Sequence, residues 1–179
     1  MIFSIFFVLL ALIITSIVIV PVFFGAPWHP ASRKDIHRAL KLCEAQPGEI
    51  LYDLGSGDGR VLKIAAIDFG MEAIGLEIDP VKVWLSKQFL PKKNLSNRIK
   101  VLRQNVFDFN FKHADIVFIY MTHQALDKLF PKILETLKPT ATVACYRFCL
   151  RGIQPEKVTS DKKIFIYRFN KGKSLNAYS

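Results

Sequence analysis

The residues of this chain suited to chemistry are concentrated in one run, Asp53-Leu54-Gly55-Ser56-Gly57-Asp58-Gly59, and in one acid further on, Glu77. Glycines let a turn approach a bound ligand closely, because no Cβ stands in the way. An acid about 20 residues past such a turn is placed to accept hydrogen bonds from a ribose. Glu77 lies 20 residues after Gly57. The run therefore reads as a site for an adenosine-containing cofactor. A P-loop is excluded, since no Gly-Lys-Ser/Thr follows the turn.

These residues need a scaffold that brings strand ends together. Ile50 to Leu54 is a short apolar run and reads as a strand. Arg60 to Phe69 reads as a helix closed by Gly70, and Ala73 to Glu77 as a second strand. Asp79 then caps a helix starting at Pro80, with Val81, Trp84, Leu85 and Phe89 as its expected buried stripe and Pro91 as its stop. Further strands are expected at Arg98–Arg103, Ile116–Tyr120, Thr142–Phe148 and Lys163–Phe169, the last antiparallel to a short strand near Lys157–Thr159. Between the fourth and fifth strands lies a helix carrying Leu126, Leu129, Phe130, Ile133, Leu134 and Leu137, which Pro131 is expected to kink or split. Ser32-Arg33-Lys34-Asp35 resembles a capping box opening an earlier helix that Pro47-Gly48 ends. Strands alternating with helices predict an open α/β sheet, parallel apart from one antiparallel strand. A ligand belongs at the carboxyl ends of such strands.

Charge divides the chain sharply. All 25 Lys and Arg and all 15 Asp and Glu lie after Ser32, and the net charge is +10. Ile2 to Phe24 is almost wholly apolar, and about 20 such residues span a bilayer core. No basic residue precedes this run, which argues for an uncleaved transmembrane anchor over residues 1–25 rather than a signal peptide. Residues 26–32 then form a linker, 33–170 the domain, and 171–179 a basic tail. Arg33, Lys34, Arg38 and Lys41 follow the anchor, so the positive-inside rule puts the domain on the cytoplasmic side of a single-pass protein. The basic excess suits anionic headgroups, and no nucleic-acid partner is expected. Cys43, Cys145 and Cys149 form no C-x-x-C pair, and the four histidines lack ligand spacing, so no metal is expected.

The glycine spacing is G-x-G-x-G preceded by an acid, not the G-x-G-x-x-G of nicotinamide sites. In this the chain resembles the class I, seven-strand S-adenosylmethionine-dependent methyltransferases from about Arg33 to Phe169. The resemblance implies a Rossmann-like sheet with S-adenosyl-L-methionine as cofactor. It implies that Asp53, Gly55, Ser56 and Gly57 hold the cofactor's methionine end, that Glu77 takes the ribose hydroxyls, and that Asn105 contacts the adenine. At the strand ends where a methyl acceptor would stand, the chain itself offers Tyr120, Met121 and Thr122 after the fourth strand and Tyr146 and Phe148 at the fifth. Trp28 stands before the domain as a further candidate or as an anchor at headgroup level.

Ile119-Tyr120-Met121-Thr122 replaces the Asn/Asp-Pro-Pro-Tyr/Phe run of enzymes that methylate amide or nucleobase amino groups. A Pro-Cys nucleophile and a paired-glutamate loop are missing too, which sets aside cytosine-5 and arginine methylation. Val20-Pro21 through Pro30-Ala31-Ser32, Leu134-Glu135-Thr136-Leu137-Lys138-Pro139 and Tyr146-Arg147-Phe148-Cys149-Leu150-Arg151-Gly152 carry a narrower resemblance. They are similar to the small archaeal protein-lysine methyltransferases and to their membrane-anchored relatives that methylate the c-subunit of ATP synthase. Tyr146-Arg147 stands where that family commonly has an acid. The resemblance implies a membrane-anchored methyltransferase acting on a lysine ε-amine of a protein substrate. A methyltransferase of lipid or another small hydrophobic molecule and a non-catalytic assembly factor are the alternatives.

Overall fold

Short apolar strands buried on both faces and amphipathic helices leave one economical packing, a central sheet with helices on its two sides. The computed structural model describes residues 7–8, 30–90 and 97–169. Its elements run α1 (Arg33–Leu42), β1 (Ile50–Leu54), α2 (Arg60–Asp68), β2 (Glu72–Glu77), α3 (Pro80–Phe89), β3 (Ile99–Arg103), β4 (Ile116–Ile119), α4 (His123–Thr136), β5 (Thr142–Tyr146), β6 (Lys157–Val158) and β7 (Ile164–Arg168). The sheet order is β3-β2-β1-β4-β5-β7-β6. All neighbours are parallel except β7, which runs antiparallel to both β5 and β6. The expected α/β sheet is therefore present, with its single reversed strand.

The chain divides into two compact units, Met1–Pro30 and Ala31–Ser179, and every element named above belongs to the second. Apart from Phe7 and Val8, the expected anchor lies outside the described residues, as do Trp28, Pro91 and the basic tail. Among the described residues no helix is long and apolar enough to cross a membrane.

Two layers of core flank the sheet. Ile36, Ala39, Leu40, Val61, Leu62, Ile64 and Ala65 pack on one face. On the other, Leu126, Leu129, Phe130 and Ile133 of α4 cover Leu54, Val117 and Ile119. Local caps work as the sequence suggests. Ser32 Oγ accepts from the Asp35 amide, and Asp79 Oδ1 accepts from the amides of Val81 and Lys82 with Pro80 at the first helical position.

Three details differ from expectation. Pro131 does not split helix α4, which runs as one element from His123 to Thr136, because the buried apolar side of that helix outweighs one lost backbone hydrogen bond. The predicted stripe of α3 faces outward. Val83 and Ser86 are buried instead, while Val81, Trp84 and Phe89 are 50%, 60% and 68% exposed. A helix turning small or modest residues inward can sit close on β2 and β3, and its larger apolar side chains are left on the far side. Strand β5 also stops two residues early, because Arg147 adopts a positive φ of 65° and turns the chain away from the sheet.

Gly75, in the middle of β2, is fixed by space. A Cβ there would stand 2.5 Å from Ser56 Oγ and 2.7 Å from Leu62 Cδ1. Gly75→Ala should therefore destabilise the domain by about 1–3 kcal/mol through overpacking. It should also weaken cofactor binding, because Ser56 must move. A shifted urea midpoint with unchanged cofactor affinity would show that the loop absorbs the methyl group without moving.

Candidate active site

The glycine turn is stitched to the end of the neighbouring strand. Leu76 O accepts from both Gly55 N (2.8 Å) and Ser56 N (3.1 Å), and Gly59 N donates to Ser56 O. Gly57 N donates to Glu77 Oε2 and Asp79 N to Glu77 Oε1, each at 3.0 Å. Gly55, Gly57 and Gly59 have φ of 78°, 53° and 76°, a region that side chains disfavour, so the path of the turn requires glycine. Parallel pairing sets Asp53 and Leu54 beside Gly75 and Leu76, which brings the turn and Glu77 to one edge of the sheet.

Three acids converge there. Asp58 is neutralised by Arg60, whose Nη2 lies 2.6 Å from Asp58 Oδ2 and whose Nη1 also donates to Ala31 O. Asp53 has no such partner. It is 3% exposed, and its Oδ2 makes no hydrogen bond. Burial, and then the charges of Glu77 and Asp58, push the Asp53 carboxyl well above the usual carboxylate range. Ser56 Oγ is likewise buried without a partner. An orphaned carboxylate oxygen and hydroxyl beside a glycine cradle are the complement of a ligand carrying a cation and hydroxyls.

Because β4 lies between β1 and β5, the ends of all three strands meet. Met121 Cε is 3.7 Å from where a Gly55 Cβ would stand, so the residues after β4 border the turn. Tyr120 meets Tyr146 edge to face, with centroids 4.8 Å apart, and stacks on Phe148 at 6.3 Å. His123 meets Phe148 edge to face at 5.2 Å. Burial raises the Tyr120 phenol above its ordinary value, so this hydroxyl remains protonated at neutral pH. Thr122 Oγ1 caps α4 through the Ala125 amide.

The structure thus brings together Asp53, Gly55, Ser56, Gly57 and Glu77 on one side, and Tyr120, Met121, Thr122 and Tyr146 on the other. Asn105 follows β3 and caps a short 3-10 turn, accepting from Phe107 N, while Gln104 N donates to Glu77 O. Two residues that sequence reasoning passed over also stand here. Asp35 Oδ2 accepts from Tyr146 Oη at 2.9 Å, from an element 111 residues away. Burial works against the Asp35 charge, but hydrogen bonds from Ser32, Tyr146 and Arg38 prevail and hold its carboxyl below the usual range. Its place in the capping box is readable from the sequence, but its long-range partner is not. His123 Nδ1 is buried and without a hydrogen-bond partner. Its position directly after Thr122 is the only signal. Among the described residues no group of three or more His, Cys, Asp or Glu is placed to hold a metal ion.

The titration of Asp53 has a consequence for stability. Its folded-state pKa is raised above the unfolded value of about 3.9, so its contribution is fully present below that value and is lost as pH rises through the folded pKa. Asp53→Asn cannot ionise. Without ligand, the wild-type melting temperature should fall relative to that of the variant as pH rises through this window. Parallel pH profiles would mean that Asp53 is not the buried, uncompensated acid described here.

A sequence model of the ANTKMT methyltransferase domain matches residues 53–157. The chain is 30% identical over 133 residues to a protein-lysine N-methyltransferase of Saccharolobus islandicus, covering 74% of this chain and 83% of that protein. It is 30% identical over 135 residues to the human lysine N-methyltransferase of the ATP synthase c-subunit, covering 75% of this chain and 57% of the human protein. The mouse adenine nucleotide translocase lysine N-methyltransferase is 29% identical over 79% of this chain and 62% of its own length. The match thus spans less than two thirds of these animal relatives. Among solved structures, an RNA methyltransferase from Salinibacter ruber in complex with S-adenosyl-L-homocysteine aligns with a TM-score of 0.77 at 25% identity, over 80% of this chain and 95% of that one. With that turn, that sheet order and these relatives, the chain belongs to the ANTKMT methyltransferase-domain family, whose members are S-adenosylmethionine-dependent enzymes.

Proposed function

We propose that this chain methylates the ε-amine of a lysine on a protein at or near a membrane. In this reading the uncharged N-terminal segment holds it to the bilayer with the domain on the cytoplasmic side. The observation that carries the reading is the aromatic wall of Tyr120, Tyr146 and Phe148 bordering the glycine turn through Met121. The relatives named as protein-lysine methyltransferases support it.

The residues present fit the cofactor. Asp53 and Ser56 offer the unpartnered oxygens and Gly55 and Gly57 the close backbone; Glu77 would take the ribose hydroxyls, and Asn105, whose side chain caps the turn after β3, would face the adenine. When bound, S-adenosylmethionine supplies an electrophilic methyl group on a cationic sulfonium. The protein's share is to exclude water and to align the amine for in-line attack. Aromatic faces attract cations, so Tyr120 suits both an ammonium and its methylated product, while the buried ring of Tyr146 already carries the Arg147 guanidinium at 5.6 Å. The amine must lose a proton before it attacks. Tyr120 stays protonated and is no base at neutral pH. Asp35, the carboxylate bonded to Tyr146, is already engaged by Ser32, Arg38 and that phenol. Deprotonation then rests on desolvation of the lysine, which lowers its pKa from about 10.4, with the proton passing to water. Thr122 and Met121 shape the wall next to the attacking nitrogen.

Full-length protein, incubated with radiolabelled S-adenosylmethionine and membranes from cells lacking the gene, should place label in methyl-lysine. The rate should rise with pH until the acceptor's shifted pKa is passed. Glu77→Ala should weaken cofactor binding by roughly ten- to a hundredfold. Tyr120→Phe should slow transfer slightly, and Tyr120→Ala more. Label appearing in a lipid or quinone and not in protein would overturn the lysine reading.

A further inference from the structure

The outward apolar ridge of α3 has no role in the core or in the aromatic wall. Ile78, Val81, Trp84 and Phe89 are 49%, 50%, 60% and 68% exposed, and Leu85 is exposed beside them. On a helical projection at 100° per residue, Val81, Trp84 and Leu85 lie with Gln88 on the side away from Val83 and Ser86, with Lys87 on one flank and Lys82, 3.9 Å from Asp79, on the other. Tryptophan in the middle and lysines at the margins are what a helix lying in a lipid headgroup region requires. The ring sits at the apolar boundary, and the lysine stems run along it with their charges outward.

Charge points the same way. From Pro80 to Gln104 the chain carries seven Lys and Arg and no Asp or Glu. Helix α3 packs on β2 and on the edge strand β3, where Arg103, on the same sheet face as Ile99 and Val101, is exposed. A nucleic acid would also welcome the charge, but it has no use for an apolar ridge that only Gln88 interrupts. Ile78 follows Glu77 directly, so the ridge begins at the edge of the sheet that holds the glycine turn.

We infer that the α3 ridge is a docking surface for an anionic bilayer, seating Trp84 in the headgroup region and holding the cofactor edge of the sheet close to the membrane. The inference rests on the reading of a membrane-associated enzyme, but it adds a contact independent of the N-terminal segment. Each basic side chain near an anionic surface contributes about 1 kcal/mol.

Trp28 and Trp84 are the only tryptophans. In full-length Trp28→Phe protein, Trp84 is therefore the only indole reporter. The probe is vesicles of equal parts phosphatidylcholine and phosphatidylglycerol, with and without bromine on the upper acyl chain. Trp84 emission should shift to the blue, be quenched by the brominated lipid and be shielded from aqueous iodide. The charge reversal Lys82→Glu with Lys87→Glu should abolish that quenching while the protein still sediments with the vesicles. Sedimentation with Trp84 open to iodide and untouched by bromine would overturn the inference alone. So would Trp84 shielded from both quenchers, since another part of the chain or a second copy would then cover the ridge, and so would shielding by transfer RNA but not by vesicles. Absence of any sedimentation would sink this inference and the membrane reading of the proposed function together.

Discussion

The site depends on how closely β1's turn can approach the end of β2. Leu76 offers one carbonyl to two successive amides, and Glu77 ties Gly57 and Asp79 to its two oxygens. Those bonds form only because Gly75 leaves room for Ser56 and because three glycines take left-handed backbone. Backbone amides inside a turn must be satisfied, and here a neighbouring strand satisfies them rather than water. The same bonds fix Glu77 before any ligand arrives. Each carboxylate oxygen accepts one amide and keeps lone-pair capacity for a second donor. The acid is thus positioned by the fold, not by the ligand.

That arrangement gathers negative charge at one strand edge, and the protein neutralises only part of it. Arg60 pairs with Asp58 and reaches Ala31, which fastens the start of the domain to the turn. Nothing among the described residues does the same for Asp53. A native protein tolerates an orphaned buried acid where function requires it. On the opposite side of the turn the wall is aromatic, with the Arg147 guanidinium 5.6 Å from the centre of the Tyr146 ring and the Asp35 carboxylate on the Tyr146 hydroxyl. An acidic floor and an aromatic wall together suit a bound cation whose reacting group faces an incoming amine.

Much of this is legible in the sequence, for stated physical reasons. The G-x-G-x-G spacing and Glu77 encode a local backbone problem whose solution needs few distant contacts. Ser32, Asp79 and Pro80 announce helix starts because capping is decided within three residues. Burial is less legible where two apolar faces compete on one helix. In α3, Val81, Trp84 and Leu85 spell a stripe, yet Val83 and Ser86 face the sheet because close packing on β2 and β3 favours small side chains there. Pro131 breaks a local rule, and tertiary burial of Leu129, Phe130 and Ile133 overrides it. The Tyr146–Asp35 bond is hidden because nothing local pairs two residues 111 positions apart.

That bond has a further structural meaning. No acid adjoins Tyr146 in the sequence, where Arg147 follows it. The carboxylate next to the phenol comes from α1, held by Ser32 and Arg38. Arg38 in turn pairs with Asp161 in the loop between β6 and β7. Helix α1, the end of β5 and the closing hairpin thus share one carboxylate. The orientation of Tyr146, and through edge contact that of Tyr120, depends on the segment where the domain begins. The acceptor side of the site is therefore tied to the start of the domain through Asp35, and the cofactor side through Arg60 and Ala31.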